Sequence, residues 1–362
     1  MKVMCMYLPQ FHTFPENDEW WGKGYTEWVA VKRAKSLYKG HVQPKVPLDD
    51  RYYDLRNEGV ETLKWQAEIA RKYGIYGFSI YHYYFKGKKL MEDPMETLRD
   101  HPEIDINYNI CWANETWTRT WYGLSNQILM AQEYGEEKDW NEHFDYLLTF
   151  FTDNRYIKVD NKPVLQIYKT FDIPCLGEML EVFNKRAIEA GFDGIYVISG
   201  KTAAGVEHRT NLVDGYYYFE PGFTLKNGFS SVDKLCYNVM TFIRSLRNRI
   251  LGKSKGNILE RRIKASRIIK SILSRDYEEN EFPGIIPGWD NTPRRDYKGL
   301  VYTGTNPSDF ETALRALKDK KKNHRVDFVY INAWNEWGEG AYLEPDMENG
   351  FGYLEAVRRV TR

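Results

Sequence analysis

Eight short apolar runs, rich in β-branched and aromatic residues, recur along this chain at 3–8, 75–80, 106–112, 163–168, 194–199, 214–219, 284–287 and 326–331. A short run that is apolar on both faces reads as a fully buried strand. Between most of them the spacing turns helical. Helices are predicted over 58–73 (closed by Gly74), 91–99, 137–152, 173–190 (closed by Gly191), 308–320 with Ser308 as N-cap, and 353–360. Strands alternating with helices build a parallel sheet. Eight of them in 362 residues predict an α/β fold, a (β/α)8 TIM-type barrel.

Such a barrel carries its chemistry at the C-terminal tips of its strands, and here the tips are polar and aromatic. Gln10 and His12 follow the first run, and Tyr81 and His82 the second. Trp112, Asn114, Glu115, Trp117, Arg119 and Trp121 follow the third, Glu220 the sixth, and Trp289, Asp290, Asn291 and Arg294 the seventh. A lone His82 among tyrosines suits a hydrogen-bonded core residue as well as a catalyst. The stretch 19–28 is expected to be a loop. Its Trp20, Trp21 and Trp28 suit a plug for the barrel mouth and a ligand wall equally.

The eighth tip is the densest, with Trp334, Asn335, Glu336, Trp337 and Glu339. On a continuing strand the two glutamates would face opposite ways. Gly338 and Gly340 permit a bend that swings both toward one cavity. Paired carboxylates beside aromatic walls are the minimum equipment for acid–base cleavage of a glycosidic bond. The plainer alternative has Glu336 capping backbone amides and Glu339 in solvent. The chain is 15% aromatic, which suits stacking against sugar rings.

The formal net charge of zero argues against a nucleic-acid partner. Four cysteines without a CxxC pair suit a reducing compartment and no zinc cluster. No stretch reaches the ~18 apolar residues of a membrane span, and the first twelve residues do not read as a signal peptide. A cytoplasmic protein is expected, with the inner face of the membrane as a further place. One segment breaks the barrel pattern. Residues 222–281 read as a basic helical insertion after strand six, within one catalytic domain spanning 1–362. From 244 to 275 there are eleven Lys or Arg and one acid, Glu260. A solvated face explains such a run; so does peripheral contact with an anionic membrane.

Six stretches carry a family resemblance: YLPQFH (7–12), NDEWWGKGYTEW (17–28), GFSIYHYYF (77–85), CWANETWTRTW (111–121), PGWDNTPRR (287–295) and FVYINAWNEWGEGAYLEPD (328–346). The chain resembles the WbsX-type proteins of bacterial O-antigen and capsule clusters, related to the endo-α-mannosidases of glycoside hydrolase family ninety-nine. The resemblance implies a (β/α)8 barrel and an oligosaccharide or polysaccharide substrate, without cofactor or metal. It implies Glu336 at the sugar 2-hydroxyl and Glu339 as acid/base at the glycosidic oxygen, with retention of configuration through an anhydro-sugar. Gly338 stands where the hydrolases tend to have His.

Three functions remain open on the sequence. The first is a retaining hydrolase or transglycosidase acting on a surface polysaccharide or its precursor. The second is a glycosyltransferase using a sugar nucleotide. There is no glycine-rich phosphate loop or Asp-x-Asp for it, though Arg294, Arg295, Arg119 and Lys23 could meet a diphosphate. The third is a non-catalytic glycan-binding barrel.

Overall fold

The computed structural model describes residues 1–118, 127–322 and 324–362. Seven parallel strands lie side by side: β1 (Lys2–Tyr7), β2 (Gly77–Phe85), β3 (Asn107–Trp112), β4 (Lys162–Ile167), β5 (Tyr196–Lys201), β6 (Gly215–Tyr218) and, after the seventh, β8 (Phe328–Ile331). Their spatial order is β6-β5-β4-β3-β2-β1-β8. β7 is broken in two by Pro283. Its first segment, Glu281–Phe282, pairs with β6, and its second, Gly284–Ile285, pairs with β8. The broken strand therefore joins the two ends of the sheet into a nearly closed barrel.

The sequence reading starts this strand too late, at 284, because a proline inside a short run argues against a central strand. Pro283 is tolerated because only its carbonyl is used, accepting from Tyr330 N at 2.9 Å. Gly284 next to it is forced by contact: a Cβ there would stand 1.9 Å from the Tyr218 carbonyl oxygen.

Helices α3 (Gly59–Lys72), α4 (Asp93–Asp100), α5 (Glu137–Phe151), α6 (Leu176–Glu189), α10 (Pro307–Lys321) and α11 (Gly352–Thr361) fall where the apolar spacing puts them. The N-cap of α10 is Asn306, whose Oδ1 accepts from Asp309 N, so Ser308 lies inside the first turn. The expected loop at 19–28 is two short helices, α1 (Pro15–Trp21) and α2 (Glu27–Arg33). Pro15 opens the first. Gly22 and Gly24, both at positive φ, turn the chain between them.

Between β6 and β7 the chain makes helix α7 (Ser231–Lys255), a strand at Arg261–Lys264 and helix α8 (Ala265–Leu273). That strand pairs in parallel with Leu300–Thr303, outside the barrel sheet. A further short helix, α9 (Thr292–Arg295), lies at the tip of β7. After β8, residues 335–336 pair antiparallel with 341–342, and Trp337–Glu339 is a single 3-10 turn between them. Gly340 closes that turn at φ 60.

Candidate active site

The turn after β8 delivers both glutamates to one cation. Arg294 Nη2 lies 3.1 Å from Glu336 Oε2, and Nη1 lies 2.9 Å from Glu339 Oε1. A third carboxylate, Glu27 at the start of α2, meets Arg294 Nε at 2.9 Å. Arg294 is only 9% exposed through its side chain and Glu27 is fully buried. Glu27 Oε2 has no hydrogen-bond partner among the described residues. Three carboxylates therefore surround one largely buried guanidinium, a cluster that disfavours full ionisation. Burial first, then the Glu339 and Glu27 carboxylates, push Glu336 up to about 8, although Arg294 opposes them. Glu339 is raised as well, by burial and by Glu27, again against Arg294. The pair retains a proton near neutrality and titrates as one unit.

Gly338 sits between the two glutamates, and its place is filled from across the cluster. A Cβ on Gly338 would stand 1.6 Å from Glu27 Oε1 and 2.9 Å from Arg294 Nε. The turn therefore needs glycine so that Glu27 can reach the guanidinium.

An opening leads to Glu336 and Arg294, walled by Trp21, Tyr83, Trp117 and Leu129, with Leu8 and Gln10 beside them. Trp20 packs behind Trp117, with ring centroids 5.6 Å apart. Tyr81 and Tyr83 have their hydroxyl pKa raised by burial and next by the Glu336 carboxylate. Tyr168 is raised by burial and then by Glu115, Glu339 and Glu336. Glu115, just past the β3 tip, pairs with Lys169 Nζ at 2.5 Å. Arg119 and Trp121 lie outside the described residues.

A second, more polar hollow adjoins the glutamate turn at Gly340. Trp289, Asp290, Tyr38 and Tyr342 line it. Asp290 accepts from His41 Nε2 and Gln43 Nε2, each at 2.7 Å, and from Thr292. Burial alone would raise its pKa, but these donors outweigh it and hold the carboxylate below its usual range. Asp290 N also donates to Glu339 O, so this hollow and the acid pair share a wall.

Several expected ligand residues do other work. Alternation along β2 turns His82 outward when Tyr81 and Tyr83 turn in. His82 is 2% exposed, its Nε2 lies 3.1 Å from His143 Nε2 of α5, and burial lowers its pKa to about 3. Trp112 shares that outer side: it packs on His143 and donates to the Tyr84 carbonyl. Asn114 ties the β3 tip to β4 through both Lys169 backbone groups. Asn291 accepts from Leu300 N, and Asn335 exchanges two hydrogen bonds with Leu8, locking the β8 tip to the β1 tip. Trp28 is core, packed on Phe11, Tyr53 and Trp337.

Trp334 and Trp337 are not walls of the hollow either. Both indoles turn to the far side of the bend and donate to Glu344, at 3.1 and 2.6 Å. Gln66 and Tyr53 complete four donors on that carboxylate. Burial nonetheless pushes Glu344 up to about 7. Sequence reasoning missed Glu344 and Glu27. Nothing near Glu27 marks it as buried; Gly338, 311 residues away, is the only trace of it. Glu344 had a signal: two tryptophans whose N–H groups must find acceptors once buried.

Among solved structures, a glycoside hydrolase-like protein matches all of this chain and 94% of its own, with 14% identity and a TM-score of 0.59. The GH99 endo-alpha-mannosidase from Bacteroides thetaiotaomicron matches 99% of this chain and 95% of its own, with 11% identity and a TM-score of 0.55. At these identities the likeness is one of fold. In sequence, the uncharacterized protein WxcX of Xanthomonas campestris pv. campestris is 32% identical over 99% of this chain and 49% of its own length. The chain thus spans about half the length of the curated relatives it matches. The family model described as Glycosyltransferase WbsX matches residues 3–357, and the chain belongs to that family.

Proposed function

We propose that this barrel is a carbohydrate-active enzyme working on a bacterial surface polysaccharide or its precursor, with Glu336 and Glu339 as its acid–base pair. One observation carries the reading. Both carboxylates lie on neighbouring nitrogens of Arg294, at an opening walled by Trp21, Tyr83 and Trp117. A pair that keeps one proton near neutrality can donate it at a glycosidic oxygen while its partner accepts one from the sugar. The aromatic walls suit the apolar faces of pyranose rings, and the Trp289 hollow suits the sugars that follow along the chain.

The resemblance gives the 2-hydroxyl to Glu336 and the glycosidic oxygen to Glu339. Glu339, the more exposed of the two at 22% of its side chain, suits the leaving-group side. Retaining chemistry ends in water or in another sugar, so hydrolysis and transglycosylation share the same first step. Transfer from a sugar nucleotide is the second reading, favoured by the family's own description. Arg294 does not support it, because three carboxylates already engage that guanidinium.

The test is to supply oligosaccharide repeat units, with and without nucleotide sugars, to the wild type, Glu336→Gln and Glu339→Gln. Cleavage or sugar exchange without nucleotide, lost by at least a thousandfold in both variants, is the expected result. Turnover that requires the nucleotide sugar establishes the second reading. Binding with no turnover leaves a glycan-binding barrel.

A further inference from the structure

Helix α7 is built inside out. Of the fourteen large apolar side chains exposed among the described residues, nine stand on its 25 residues. Leu235, Val239, Phe242, Ile243, Leu246 and Ile250 form one continuous outer face, and Phe242 and Ile250 are each 67% exposed. The inward side is the polar one. Asn248, 8% exposed, exchanges hydrogen bonds with Ile258. Arg244 donates to the Glu260 carbonyl, and Asp233 pairs with Arg267 of α8. A surface helix normally shows the reverse pattern, with apolar residues toward the core. An apolar patch of this extent, left outside, marks an interaction surface.

Charge selects the occupant. After Asp233 the helix has no acid, while Arg247, Arg249 and Lys255 follow the inward Arg244. Pairing with a second α7 would set cations against cations along the seam, without the acids that a helical dimer places at its flanks. An anionic lipid surface satisfies both features at once. The apolar face enters the acyl boundary, and long basic side chains reach back to the headgroups. The helix is about 37 Å long at 1.5 Å per residue. No helix among the described residues is long and apolar enough to cross a membrane.

We infer that α7 lies in the plane of an anionic membrane as a peripheral anchor. It leaves the barrel after the C-terminal end of β6, the end at which the acid pair lies. The strand that follows it pairs with Leu300–Thr303, three of whose residues line the Trp289 hollow. Arg262 of that strand lies over the Tyr38 ring of the same hollow, at 4.4 Å. The anchor therefore holds this mouth of the barrel close to the lipid surface. This inference stands whether or not the acid pair is catalytic.

The test is flotation of the full chain with vesicles of phosphatidylcholine alone and of phosphatidylcholine mixed with phosphatidylglycerol. Binding to the anionic vesicles is expected, reduced at least tenfold for neutral ones. Val239→Ser/Phe242→Ser/Ile250→Ser changes exposed positions only, and is expected to bind at least tenfold more weakly with an unchanged melting temperature. A Phe242→Trp variant is expected to shift its emission to the blue on the anionic vesicles. No binding to either vesicle overturns the inference. So does binding that the triple variant keeps. A dimer in solution that the triple variant dissociates, with no vesicle binding by the wild type, assigns the face to a second copy instead.

Discussion

The carboxylate of Glu27 occupies the space that a side chain on Gly338 would need. The two residues are 311 positions apart, and an ideal Cβ on Gly338 falls 1.6 Å from Glu27 Oε1. Gly338→Ala must therefore displace Glu27 from Arg294, or displace the turn that carries Glu336 and Glu339. Overpacking of this kind costs about 1–3 kcal/mol. Urea unfolding should show that loss for Gly338→Ala, and a smaller one for Gly338→Ala made in a Glu27→Ala background. Equal losses in both backgrounds would mean that the Glu27 contact is not what requires glycine.

Arg294 pairs with Glu27, Glu336 and Glu339 together. Arg294→Met keeps much of the volume and leaves the buried Glu27 and Glu336 and the half-buried Glu339 uncompensated. Removing one partner of a buried ion pair costs about 3–5 kcal/mol. The loss should be largest at alkaline pH and shrink as acid protonates the cluster. A loss that does not change between pH 5 and pH 9 would show that Arg294 acts by packing alone.

The fold was readable from sequence because every barrel strand but one is a continuous apolar run with a polar tip. β7 hid its first half behind Pro283, whose missing N–H matters little when only its carbonyl pairs. The convergence of Glu336 and Glu339 was readable because Gly338 and Gly340 permit the bend. The ligand walls were not, for a geometric reason. Strand alternation sends His82 outward and Tyr83 inward, and the bend sends Trp334 and Trp337 to Glu344 rather than to the opening. A sequence shows that residues share a tip. Which side each one takes depends on a register fixed by partners far along the chain, such as Leu8 for Asn335.

The pH dependence of stability should carry the signature of Glu336. Its pKa stands at about 8 in the folded protein, against an ordinary 4.5. The folded state therefore binds the proton more tightly than the unfolded state does. That contribution is fully present below about pH 4.5 and is lost as pH rises through 8. Thermal unfolding should show the melting temperature falling between pH 6 and pH 9. Glu336→Gln, which is neutral at every pH, should flatten the slope. An unaltered slope in that variant would place the titrating group elsewhere, with Glu344 the next to test.

Glu344 supports the bend from behind, and its own substitution separates support from chemistry. Its Oε1 receives Gln66 Nε2 at 2.7 Å and Trp334 Nε1 at 3.1 Å; its Oε2 receives Trp337 Nε1 at 2.6 Å and Tyr53 OH at 3.0 Å. Glu344→Gln replaces one accepting oxygen by an NH2 group, so two donors on one side must then face a donor. Two of the four belong to indoles, which cannot accept in return. The cost of leaving buried donors unmet is about 1–3 kcal/mol. Because Trp334 and Trp337 bracket Asn335 and Glu336, loosening them should also change the near-ultraviolet circular dichroism of the folded protein. Glu336→Gln lies on the other side of the bend and should leave that spectrum as it is. If Glu344→Gln unfolds at the wild-type urea concentration with an unchanged spectrum, the four donors do not hold the turn, and the acid pair owes its position to Arg294 and Asn335 instead.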